Sequence, residues 1–130
     1  MEKTQVGGQH YLSMGIQPRE LAMGNHWDAD SFSALKYLSR FESKNPIEDL
    51  KKARHFAEMR RDWAPGPLSV PPKVRLIDYI TKNGFSDKPL IRYALHALWD
   101  TVYMHDGVRL YSEHLIRKID DLIASVEAQA

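Results

Sequence analysis

Residues 64–72 read APGPLSVPP, and this stretch constrains the chain more than any other. Each of Pro65, Pro67, Pro71 and Pro72 removes a backbone donor and pushes the residue before it out of helical geometry. Neither a helix nor an interior strand can run through it. The stretch is expected to be a stiff, extended connector between two flanking segments, 1–63 and 73–130. In a chain of 130 residues these flanks are too short to be independent large domains, so they are expected to share one folding unit.

Both flanks carry the period of amphipathic helices. Gly7, Gly8 and Gly15 favour irregular backbone up to Ile16, and Pro18 suits the first turn of a short helix through Met23, ended by Gly24 and Asn25. Phe32, Leu35 and Leu38, with Tyr37 and Phe41 as an i,i+4 pair, predict a helix over about 30–43. Asn45, Pro46 and Glu48 form a start signal in which Asn45 caps and Glu48 reaches back; a helix to about Asp62 follows. Its Ile47, Leu50, Ala53, Phe56 and Ala57 face one side, leaving Lys51, Arg54, Glu58 and Arg61 in water.

Beyond the connector, Val74, Ile77 and Ile80 predict a helix ending near Gly84. Pro89 starts a longer one through Leu90, Ala94, Leu98 and Val102, and Gly107 punctuates again. Leu115, Ile119, Leu122, Ile123 and Val126 mark a last helix that can pack on the rest or pair with a second subunit, and a homo-oligomer is expected. No window alternates strictly, so the fold class is all-α with five or six helices.

Composition narrows the function. A formal net charge of +1 gives no bulk attraction to nucleic acid or to anionic membrane, so any anion site must be local. Cysteine is absent, which excludes thiolate metal sites and disulfides and fits a reducing compartment. No apolar run approaches the roughly 18 residues of a spanning helix, and a cytoplasmic location without membrane partners is expected.

The local candidate is a basic stripe. Lys36, Arg40 and Lys44 fall at i, i+4 and i+8, and their mutual repulsion of a few tenths of a kcal/mol per pair asks for compensation. A phosphate supplies it, and so do the nearby Glu42, Glu48 and Asp49; spacing leaves both open. The sequence carries two other constellations. His105-Asp106 with Asp120 and Asp121, and His55 or His96 upstream, follows the ligand order of helical metal-dependent phosphohydrolases, but Gly107 makes a helix end an equal reading and no resident metal is expected. In NHWDAD, residues 25–30, Asp28 and Asp30 suit a cation, while Asp30 or Ser31 suits a helix cap.

Four ordered motifs, GGQHY at 7–11, GIQPREL at 15–21, LKYLSRF at 35–41 and EDLKKARHF at 48–56, resemble a family of small phage proteins labelled nucleotide kinase. The resemblance covers about residues 7–60 and falls on His10, Tyr11, Lys36, Tyr37, Arg40, Asp49, Leu50, Lys52 and Ala53. Where that family commonly has Gly-Asn, this chain has Ser33 and Ala34. The resemblance implies a nucleotide ligand and a nucleoside monophosphate kinase-like activity. No G-x-x-x-x-G-K-[ST] loop is present, so the phosphate clamp would be Lys36, Arg40, Lys44 and Lys52. Asp49, the candidate catalytic residue, or Glu48 would hold Mg2+ through water. Tyr11, Trp27 or Tyr37 would stack on the base. The residues leave plainer roles open: His10 and Tyr11 can pin the N-terminal arm, Asp49 can pair with Lys52, and Tyr37 can stack on Phe41. Two rival functions remain: a protein that sequesters a nucleotide, such as a cyclic signalling one, without turnover; and a helical interaction module using Lys51, Lys52, Arg54, Arg60 and Arg61. Acidic residues interleave with that run, so nucleic acid ranks last.

Overall fold

Pro18, Pro46 and Pro89 each stand at the first position of a helix, where a missing N–H costs nothing, and they set the chain's rhythm. The computed structural model describes residues 14–42, 44–104 and 107–129. Its elements are α1 (Pro18–Gly24), α2 (Ala29–Arg40), α3 (Pro46–Trp63), α4 (Leu76–Lys82), α5 (Pro89–Tyr103) and α6 (Val108–Ala128). Among the described residues all regular structure is helical, and the all-α expectation of about six helices holds. His10, Tyr11, His105 and Asp106 lie outside the described residues.

α3 lies between α2 and α6, and α5 packs on both α6 and α2, so the segments on either side of the proline stretch bury their apolar faces against each other. Leu35, Leu38, Leu50, Leu98, Leu115 and Ile119 are fully buried at this junction. Ala53 and Ala57 on α3 are also at zero exposure, which lets neighbouring helices approach closely. The stripe on α6 that suggested a second subunit is used within the chain: Leu115, Ile119 and Leu122 are buried, and Ile123 and Val126 pack against the same core. No helix among the described residues is long and apolar enough to cross a membrane.

Three local readings are corrected. The cap of α2 is Asp28, whose carboxylate accepts from the Ser31 N–H at 2.8 Å, rather than Asp30 or Ser31. The Asn45 side chain makes no cap hydrogen bond, and Glu48 reaches forward to Lys52 at 3.3 Å instead of back. α2 stops at Arg40 rather than near residue 43, because Phe41 turns inward and is buried.

The connector is tied down at both ends. The Leu68 N–H donates to the Val102 carbonyl at 2.8 Å. At the other end, buried Asn25 accepts from the Lys73 and Val74 N–H groups and donates to the Val74 carbonyl, all at 2.8 Å. Asn25 also ends α1 through its backbone N–H, so one residue closes a helix with its main chain and clamps the exit of the proline stretch with its side chain. Gly15 is required where it stands: a Cβ there would lie 2.6 Å from the Lys82 carbonyl oxygen, in the stretch where Asn83 holds the Ile16 backbone through two hydrogen bonds.

One carboxylate works against the fold. Burial in the last turn of α5 pushes the Asp100 carboxyl above its ordinary value, opposed by charge from His96 and His114. The folded state therefore holds that proton more tightly than the unfolded chain, and stability from this group falls as pH rises through the range above the ordinary Asp value. Asp100→Asn is expected to raise the melting temperature at pH 7 and to leave it unchanged well below about pH 3.9, where Asp100 is protonated in both states. A calorimetric scan showing the same increment at both pH values would refute that account.

Candidate functional site

The register of α2 against α3 builds two polar ends around an aromatic middle. At one end Arg40 meets Asp49, and at the other Arg60 meets Asp28 and Ser31. Between them the Tyr37 ring lies parallel to Phe56, with centroids 6.1 Å apart and planes 5° apart. Tyr37 thus stacks on a partner from the next helix, not on Phe41.

Around Tyr37 the structure gathers three cations. Lys36 Nζ stands 4.6 Å from the ring centroid, Arg40 Cζ 4.9 Å and Lys52 Nζ 5.4 Å. Lys36 also lies 5.9 Å from the Phe32 ring. Such contacts stabilise by about 0.5–1 kcal/mol each at exposed sites, enough to offset part of the repulsion. Of the two further lysines expected in the clamp, Lys52 from α3 joins the cluster and Lys44 does not. Because α2 ends at Arg40, Lys44 is not carried onto the stripe and stands exposed beyond the helix.

Asp49 is buried with a side-chain exposure of 5%, and its carboxylate accepts from Arg40 Nε at 3.4 Å and Nη2 at 3.3 Å. It anchors the guanidinium beside Tyr37, and its expected i,i+3 pairing with Lys52 does not form. Lys52 turns to Glu48, at the surface.

At the far end the sequence reading missed a residue. Arg60, offered there only as one of the cations of an interaction module, is 2% exposed. One Nη donates to the Asp28 carboxylate and, at 2.7 Å, to Ser31 Oγ; the other donates to the Thr101 carbonyl at 2.7 Å. The signal was available, since Arg60 continues the buried stripe Leu50, Ala53, Ala57 at helical spacing. Beside this pair is a cleft of about 200 Å³ whose lining includes His26, Trp27, Asp28, Trp63, Pro65 and Pro67. His26 (φ 60°) and Ala64 (φ 50°) take left-handed backbone on either side of it. Trp27 is held by its Nε1–H, which donates to Tyr103 Oη at 3.1 Å, and by edge contacts with Trp99 and Tyr103.

Among the described residues no metal-type constellation is assembled, and His105 and Asp106 lie outside them. Asp120 accepts from Arg54 at 2.8 Å, Asp121, His55 and His96 are exposed, and no group of three metal-competent side chains occurs among the described residues. A larger groove of about 530 Å³ lies elsewhere, between the start of α5 and the end of α6, and its lining is mostly apolar. Its Lys88 and Glu42 pair with each other at 2.9 Å.

Residues 6–58 match the model of a family described as a protein of unknown function (DUF3310). The match covers α1, α2 and most of α3, the elements that carry the cation cluster, and its description assigns no activity. No curated protein and no solved structure matches the chain.

Proposed function

We propose that the protein binds a nucleotide, and that the cluster around Tyr37 is the seat of its phosphates. The observation that carries this reading is the convergence of Lys36, Arg40 and Lys52 from two helices within 5.4 Å of one ring. Arg40 supplies a planar fork held in place by Asp49, and the two lysines supply mobile point charges. Lys36 is half-buried against rings and Lys52 is 44% exposed, and both can exchange weak contacts for stronger bonds to an anion. Resemblance to phage nucleotide kinases points to the same ligand class, and a phage protein acting in the host cytoplasm fits it.

Binding is supported better than turnover. A general base must reach a substrate proton, and Asp49 is buried and turned toward Arg40. Its role in this reading is to position Arg40, and magnesium, where present, arrives with the phosphates themselves. Sequestration of a nucleotide therefore ranks above phosphoryl transfer.

A thermal-shift screen across nucleoside mono-, di- and triphosphates and cyclic dinucleotides tests the reading. A ligand at 100 times its Kd stabilises the native state by about 2.7 kcal/mol, which raises the midpoint by several degrees. Lys36→Ala is expected to remove most of that shift. Arg61→Ala is expected to leave it intact, because Arg61 lies outside the cluster and pairs with neighbouring Asp62 at the surface. The reading fails if no nucleotide shifts the midpoint, or if the two variants lose it equally.

A further inference from the structure

Lys52, Phe56, Met59 and Trp63 follow one another on α3 at i, i+4, i+7 and i+11, which places them on one face of the helix. The face begins in the cation cluster and ends at the cleft. Met59 is 43% exposed and Trp63 is 61% exposed, so the track between the two places is apolar and open. An exposed tryptophan at the mouth of a cleft is costly to hydrate unless something covers it. Two tryptophans line the cleft together with Pro65 and Pro67: Trp27, 6% exposed and fixed by its bond to Tyr103, and the open Trp63. The polar group within reach is Asp28, whose side chain remains 27% exposed although one oxygen accepts from Arg60 and the Ser31 hydroxyl and the other from the Ser31 N–H, which leaves each oxygen only its remaining lone-pair capacity.

We infer that this cleft receives the base of the nucleotide whose phosphates sit at Tyr37, an inference that rests on the nucleotide reading above. The volume decides how much of the ligand enters. About 200 Å³ lies below the roughly 300–1,000 Å³ of a pocket that encloses a whole small molecule, so one ring system goes in and the remainder lies along α3. Trp63 stacks on the face of the base, as any base permits. The Asp28 carboxylate accepts from an amino or imino N–H, a donor that each of the four bases carries on its edge. Along α3, from Trp63 to Lys52 is eleven residues, about 16 Å of helix rise. A ligand bridging the two places carries more than one phosphate, which makes the ligand class nucleoside di- or triphosphates.

The test compares ATP, GTP, CTP and TTP with inorganic tripolyphosphate by titration calorimetry, on wild type, Trp63→Ala, Trp63→Phe and Lys36→Ala. Trp63 is exposed, so its variants keep the fold. Expected is about a tenfold loss of affinity for the tightest triphosphate in Trp63→Ala, near-complete rescue in Trp63→Phe, and no change in tripolyphosphate affinity in either. If Trp63→Ala binds the nucleotide like wild type while Lys36→Ala does not, the base seat is overturned and the phosphate seat stands. Tripolyphosphate binding as tightly as every nucleotide likewise overturns the base seat. If none of the four triphosphates binds, the base seat is overturned, and the nucleotide reading itself falls only if the monophosphates, diphosphates and cyclic dinucleotides of the wider screen fail as well.

Discussion

Asp28→Ala is expected to destabilise the protein by about 4 kcal/mol or more, and Arg60→Met by clearly less, although the two residues share one ion pair. The asymmetry follows from burial. Removing Asp28 leaves a guanidinium that is 2% exposed with only the neutral Ser31 Oγ and Thr101 carbonyl as acceptors. Stranding a buried charge in this way costs about 3–5 kcal/mol, and losing the cap of α2 adds about 1. Removing Arg60 strands a carboxylate that is 27% exposed, still accepts from the Ser31 N–H and O–H, and can hydrate. Methionine fills much of the space, and it also removes an Nε–H that is buried without a partner in the wild type. Asp28→Asn separates the two effects, because asparagine still caps but carries no charge. Urea midpoints should order wild type, Arg60→Met and Asp28→Ala from most to least stable, with Asp28→Asn above Asp28→Ala. Should Arg60→Met prove worse than Asp28→Ala, the burial argument is wrong. Against a typical stability of about 5–15 kcal/mol, Asp28→Ala can approach global unfolding, and the asparagine variant keeps the ordering measurable.

Arg60 also marks where reading the sequence stopped short. The helices were legible because prolines at their first turns and glycines between them punctuate strong apolar periods, and each predicted element is present within a few residues. Ends were harder: Phe41 continues the pattern of α2, yet it is buried by the turn into α3 rather than by helix. At the start of α2, NHWDAD offers two aspartates, and only the fold decides that Asp28 is the one facing Ser31 and Arg60. Lys36, Tyr37, Arg40 and Lys52 were legible from helical spacing and resemblance. Their convergence was not, because it depends on the register of α2 against α3, which brings Phe56 and Lys52 against the Tyr37 ring. The cleft was less accessible still. It requires Trp63 to end a helix, Ala64 to turn left-handed, and Leu68 to be pinned to Val102, long-range facts with no local signature.

The double variant Lys36→Ala/Lys52→Ala is expected to weaken nucleotide binding by about 100-fold or more, since each charge-assisted bond to phosphate contributes about 1.5–3 kcal/mol and tenfold in affinity is about 1.4. These two lysines test the phosphate seat better than Arg40 does. Arg40→Ala leaves the Asp49 carboxylate, 5% exposed, without its guanidinium, so lost binding and lost folding would be mixed in one number. Lys36 loses only ring contacts, and the partner Lys52 leaves behind, Glu48, is 59% exposed and can hydrate. Glu48 competes with the ligand for Lys52, so Glu48→Gln should tighten binding modestly while the double variant weakens it. Both effects should shrink as salt rises, because screening acts on exposed charges. Calorimetric titrations at two ionic strengths, with thermal unfolding to verify that each variant is native, give the answer. A double variant that binds as tightly as wild type would return the cluster to an ordinary solvated helix face, and Tyr37 to a core residue with charged neighbours.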